Sequence, residues 1–271
     1  VISCFCATLL FSVLACGGGS TPESVTTPPP VSSPSSGVVF ALMDPGAGQA
    51  VLNRYAALST VDGLAFRVFW SALEPTARGY SWSALDSAFS VARQRGKRLT
   101  LHVAASGVAL PSWLSAAGVK SYTYTIPTGT RTDPIPWDSI YVARYAEFVA
   151  ALGAHIRTAG YTDLLSGVSD PVPVAEMTIV GCANGILNGG VAYSRSQYLA
   201  AWQRTVTAYA SAFPGVRLYI SAPLAFICRS DGDDGAAFYT TLMTSARSLT
   251  SQAAVFVADL NALGSQRLVQ T

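Results

Sequence analysis

The chain has 271 residues, enough for one large domain or two ordinary ones. Its 17 Lys and Arg stand against 15 Asp and Glu, a formal net charge of +2. No basic block or aromatic-basic stripe occurs, so the composition argues against a nucleic-acid partner. Charged residues make up 12% and apolar residues 50%, the balance of a chain with a large buried core.

In chain order, residues 2–15 form an apolar run too short to span a bilayer, followed by Cys16 and Gly17-Gly18-Gly19-Ser20. That reads as the apolar region of a secretory signal. Val13-Leu14-Ala15-Cys16 resembles the bacterial lipobox. The resemblance implies a signal peptide over 1–15 and lipidation of Cys16. It also implies a protein exported and anchored to the cell envelope, at the outer membrane or cell surface, touching the membrane through that lipid alone. An ordinary cleaved signal with an incidental cysteine is the alternative. The chain begins at Val1, without Met or a basic leader, so its true start is expected upstream. Residues 16–36 are a linker, mostly Ser, Thr and Pro, that buries too little apolar surface to order itself. Residues 37–271 are globular in composition.

Within 37–271, short β-rich apolar runs alternate with helical periods. Strands are expected over 38–42, 64–70, 98–103, 175–180, 216–221 and 254–258. Their continuous hydrophobicity suits strands covered on both faces, as in a parallel sheet. Leu85, Phe89 and Ala92 mark a helix ended by Gly96. Tyr141, Tyr145, Phe148 and Leu152 stripe the longest helix, with Asp138 as its N-cap. Tyr198, Trp202, Val206 and Tyr209 form the next, and Phe238, Leu242, Ala246 and Leu249 the last. Asp231-Gly232-Asp233-Asp234-Gly235 lacks the spacing of a calcium loop and reads as a cap, with Asp234 at the helix start.

Six β-then-α units predict a parallel β/α domain, either a barrel or a doubly wound sheet. No glycine-rich phosphate loop follows the first strand, and no cofactor is expected. Nor is a metal, since no Cys or His sits at ligand spacing. Cys182 and Cys228 remain beyond the linker, each just after an expected strand. In an oxidising compartment they predict one disulfide, with two buried free thiols as the alternative.

The stretch Arg67-Val68-Phe69-Trp70-Ser71-Ala72-Leu73-Glu74-Pro75, then Gly79-Tyr80-Ser81-Trp82 and Leu85-Asp86, resembles the second strand and following loop of clan A glycoside hydrolases, nearest to the family 42 β-galactosidases. Leu110-Pro111-Ser112-Trp113-Leu114 and Pro136-Trp137-Asp138 continue the likeness. The resemblance implies an α/β fold, the (β/α)8 TIM barrel, here truncated after strand six. Such a piece would expose unpaired edges and be unstable alone.

It also implies a carbohydrate partner and a substrate-binding set at the C-terminal strand ends: Arg67, Trp70, His102, Trp113, Trp137, Asn184 and Asp259. Arg67 would orient a nucleophile, His102 would bond a hydroxyl, and the tryptophans would stack on sugar faces. The alternatives are an ion pair with Glu74 or Asp44 for Arg67, core packing for His102 and the tryptophans, and a helix cap for Asp259. Asn184 would end strand four before the acid/base, where this chain has Gly185. The catalytic carboxylates are therefore not assigned. Glu74 reads as a loop-fixing residue and His155 as structural. The function expected is hydrolysis of a β-linked oligo- or polysaccharide, of the retaining clan A type. The alternative is a catalytically degenerate glycan-binding or cell-envelope interaction lipoprotein.

Overall fold

The computed structural model describes residues 39–43, 45–105, 107–126, 129–169, 182–183, 186–221 and 235–256. The first elements in chain order are β1 (Phe40–Met43), α1 (Gln49–Ala56), β2 (Gly63–Phe69), α2 (Trp70–Leu73), α3 (Ser83–Gln94) and β3 (Arg98–Ala104). A hairpin follows, β4 (Ser121–Ile126) and β5 (Gly129–Pro134), then α4 (Ser139–Thr158) and β6 (Leu165–Ser169). The rest are the short strands β7 (Cys182–Ala183), β8 (Ile186–Leu187) and β9 (Val191–Ala192), then α5 (Arg195–Ala212), β10 (Arg217–Ser221), α6 (Gly235–Leu249) and β11 (Ala253–Phe256).

Six of these strands make one sheet in the order β1-β2-β3-β6-β10-β11, every neighbouring pair parallel. Sequential strands lying side by side, joined by helices, are the arrangement of a β/α barrel. A doubly wound sheet would reverse its strand order partway.

Alternate residues of each strand face the helices. Leu64, Phe66 and Val68 of β2, with Leu99, Leu101 and Val103 of β3, are buried in one cluster with Leu85 and Phe89 of α3 and Tyr145, Phe148 and Leu152 of α4. Between α4 and α5 the approach is close because Gly153 has no side chain. A Cβ there would lie 2.4 Å from the Ala212 carbonyl oxygen.

Helix ends follow the sequence signals. Asp138 Oδ1 accepts from the Tyr141 N–H at 2.9 Å, capping α4. Gly96 takes φ +62 after α3, where the Lys97 N–H reaches back to the Ala92 carbonyl. Ser194 caps α5 through the Gln197 N–H at 3.3 Å.

The expected strand four is corrected. The strand between β3 and β10 is Leu165–Ser169, and the run 175–180 lies outside the described residues. The observed strand reads Leu-Ser-Gly-Val-Ser and lacks the β-branched run that marks its neighbours. Its small residues have a packing cause. A Cβ on Gly167 would lie 2.3 Å from Cε2 of Tyr219, whose ring fills that space from β10. In α6 Leu242 and Ala246 are buried as expected, but Leu249, its last residue, is exposed.

Candidate functional site

Sheet register builds the site. Arg67 of β2 is the Cα partner of His102 on β3, His102 the partner of Ser169 on β6, and Ser169 the partner of Tyr219 on β10. Four strands thus present Arg67, His102, Ser169 and Tyr219 in one row near their C-terminal ends. These residues sit on the face opposite the helix-covered Val68, Val103, Val168 and Leu218. In a β/α barrel that face is the interior, and those ends carry the chemistry. The Ser169 hydroxyl and His102 Nδ1 are 3.0 Å apart, with Ser169 buried and His102 partly so. Arg67 and His102 therefore fall where the sequence placed them, on adjacent strands at one level.

Trp70 is corrected. It is fully buried and ringed by Trp113, Tyr141, Tyr145 and Phe148, with centroids 5.0–6.0 Å away. Its Nε1–H donates to Glu74 Oε2 at 2.8 Å, so no ring face is left for a sugar. Glu74 is the loop-fixing residue expected. Its Oε1 accepts from the Arg78 N–H at 2.7 Å, and its carbonyl accepts from Trp113 Nε1 at 3.0 Å. Arg78 takes φ 60 in that turn, outside the usual range for a side-chain-bearing residue.

Trp113 is thereby drawn into the same brace, half-buried with its indole committed to Glu74. His155 is structural as expected, with Nε2 2.7 Å from Asp86 Oδ1 and the ring stacked on Trp82.

Trp137 has a different setting. It precedes α4, and its ring meets Tyr193 edge-on at 5.8 Å. Both are partly exposed and lie in the segments that follow β3 and β6. The sequence reading missed Tyr193. It also missed Asp133, a buried carboxylate on β5 that accepts from the Tyr124 hydroxyl at 2.6 Å and the Gly107 N–H at 2.5 Å. Burial, and then that hydrogen bond, raise the Tyr124 hydroxyl well above its usual range. The alternation Tyr122-Thr123-Tyr124-Thr125 was the available signal, a period-two pattern that marks a hairpin with one buried face.

Asn184, Asp259, Cys16 and Cys228 lie outside the described residues. Cys182 begins β7, which pairs antiparallel with β8 and not with the six-stranded sheet. Among the described residues no group of three or more His, Cys, Asp or Glu gathers to hold a metal, and no helix is long and apolar enough to cross a membrane.

No protein-family profile matches this sequence, and no curated protein matches it. Solved structures do. The catalytic domain of β-amylase from Paenibacillus polymyxa superposes with a TM-score of 0.57 at 12% identity, over 81% of this chain and 76% of that one. A psychrophilic family 10 endo-β-1,4-xylanase gives 0.52 at 10% identity, over 86% and 70%. An intracellular xylanase of Thermoanaerobacterium saccharolyticum, in complex with xylotriose, gives 0.52 at 12%, over 86% and 68%. At such identities the likeness is one of backbone architecture. The chain has the parallel β/α fold of the barrel glycoside hydrolases.

Proposed function

We propose that this protein is a glycoside hydrolase-like protein acting on a β-linked oligo- or polysaccharide, exported and tethered to the cell envelope through Cys16. The observation that carries the reading is the row Arg67, His102 and Ser169 at the C-terminal ends of three adjacent strands. A guanidinium and an imidazole at one level, the imidazole held by the Ser169 hydroxyl, can give and take hydrogen bonds with a polyhydroxylated ligand. Trp137 with Tyr193 supplies apolar ring surface of the kind that sugar C–H faces pack on.

Moving the fourth strand to Leu165–Ser169 changes the search for the acid. In clan A enzymes the acid/base follows an Asn at the end of that strand. Here the sequence continues Ser169-Asp170-Pro171, so a carboxylate stands next in the chain and Gly185 no longer argues against hydrolysis. Ser replaces the Asn and Asp the longer Glu. We assign Asp170 as the acid/base, with Glu176 the next carboxylate in sequence.

The test is release of reducing ends from a panel of β-linked oligosaccharides by the wild type, Asp170→Asn and Glu176→Gln. Loss of general acid catalysis is expected to slow Asp170→Asn by about 10²-fold or more. Full activity in that variant would move the acid elsewhere. Binding without cleavage by the wild type would favour the non-catalytic glycan-binding reading. Neither binding nor cleavage would end the proposal.

A further inference from the structure

We infer that Ser169 is a positioning residue that fixes the ring orientation and tautomer of His102, and so decides which hydrogen bond the imidazole offers to a bound sugar; this deepens the reading above and rests on it. Three observations converge on Ser169. It is the direct cross-strand partner of His102, so the backbones hold the two side chains side by side on one face of the sheet. Its hydroxyl lies 3.0 Å from Nδ1, within hydrogen-bond range. It is 2% exposed, and so shielded from the water that would otherwise compete for Nδ1.

A neutral imidazole carries its proton on one nitrogen, and the bond made by one nitrogen decides what the other does. If the hydroxyl donates to Nδ1, the proton sits on Nε2 and the far side of the ring is a donor. If Nδ1–H donates to the hydroxyl, the far side is an acceptor. Either way one short side chain, through its bond to the imidazole, selects the ligand hydrogen bond. At metal sites a carboxylate, carbonyl or water bonded to the second ring nitrogen fixes a histidine's tautomer and orientation in the same manner.

Packing keeps Ser169 in place. Tyr219 lies on the other side of it in register, with its ring over Gly167 two residues earlier on the same strand. Arg67 flanks His102 from β2. The strand-four residues facing the interior are therefore small where Tyr219 needs room and hydroxylated where His102 needs a partner.

The chain holds only two histidines, which makes the test direct. In a two-bond 1H–15N correlation spectrum of the labelled full chain, without sugar, His102 is expected to show two well-separated ring nitrogens. In Ser169→Ala both should shift, as Nδ1 loses its hydroxyl partner. His155, paired with Asp86 and stacked on Trp82, should keep its shifts and report that the variant is folded. Unchanged His102 nitrogens in Ser169→Ala would overturn the inference.

Affinity for xylotriose supplies a second arm. It should fall about tenfold in Ser169→Ala, the loss of one hydrogen bond's worth. It should fall no further when Ser169→Ala is added to His102→Ala, whereas additive losses would overturn the inference. Failure of the wild type to bind xylotriose or cellotriose counts against the sugar site itself. The imidazole spectra, taken without sugar, still decide the role of Ser169.

Discussion

The loop after β2 and the interior row that β2 shares with its neighbours use polar groups in opposite ways. Around Glu74 the polar atoms are consumed by the fold: one carboxylate oxygen takes the Trp70 indole, the other the Arg78 backbone, and the carbonyl takes Trp113. A buried carboxylate that takes two donors is a structural rivet, since the fully buried Trp70 N–H would otherwise be stranded away from water. In the interior row, Arg67, His102, Ser169 and Tyr219 come from four different strands and are gathered by register alone. Two sites a few residues apart in the chain, one on β2 and one in the loop beyond it, thus answer to different pressures. Damage to the first should appear as lost stability, and damage to the second as lost recognition.

The largest expected effect breaks the first site. Trp70→Ala removes a fully buried indole at the centre of four aromatic rings and should cost about 3–5 kcal/mol in denaturant unfolding. Trp70→Phe keeps most of the packing but strands Glu74 Oε2, and should cost about 1–3 kcal/mol. If Trp70→Phe equals wild type in stability, Glu74 is not the rivet described.

A middle-sized effect probes where the two regions share one sheet. Gly167→Ala puts a methyl into the Tyr219 ring and should cost about 1–3 kcal/mol. Most of that loss should return in the Gly167→Ala/Tyr219→Leu double variant, read by the same unfolding curves. Additive losses would mean the ring is not what keeps residue 167 small.

The smallest effect has the opposite sign. Arg78 occupies the left-handed region at φ 60, a conformation costing a side-chain-bearing residue about 1 kcal/mol. Its ion pair with Glu147 is exposed and contributes a few tenths of a kcal/mol at most. Arg78→Gly should therefore stabilise the protein by about 0.5 kcal/mol, seen as a raised unfolding midpoint. A lowered midpoint would show that the side chain matters more than the turn.

Much of the helical shell was legible in the sequence because it is written in long periods. The aromatic stripes of α4 and α5 and the buried positions Leu85, Phe89 and Ala92 of α3 follow from spacing alone. Strand four was not legible. Its residues are small because of what lies across the sheet from them, Tyr219 and His102, and no local pattern records a neighbour 50 or 67 residues away. The error propagated: Asn184 was assigned to a strand end that is elsewhere. Trp70 misled for a related reason. A tryptophan at a barrel strand end can face the interior or turn back under the helices, and only the Glu74 acceptor beneath it decides. Arg67 and His102 were legible because strand alternation fixes which residues share a face.

The most direct measurement compares glycan binding in two folded variants, His102→Ala and Trp70→Phe, against the wild type with one panel of β-linked oligosaccharides. If the interior row is the sugar site, His102→Ala loses at least tenfold in affinity at near-wild-type stability, while Trp70→Phe loses stability and keeps its affinity. A wild-type protein that binds no oligosaccharide, or equal affinities in wild type and His102→Ala, would contradict the assignment of this row as a carbohydrate site.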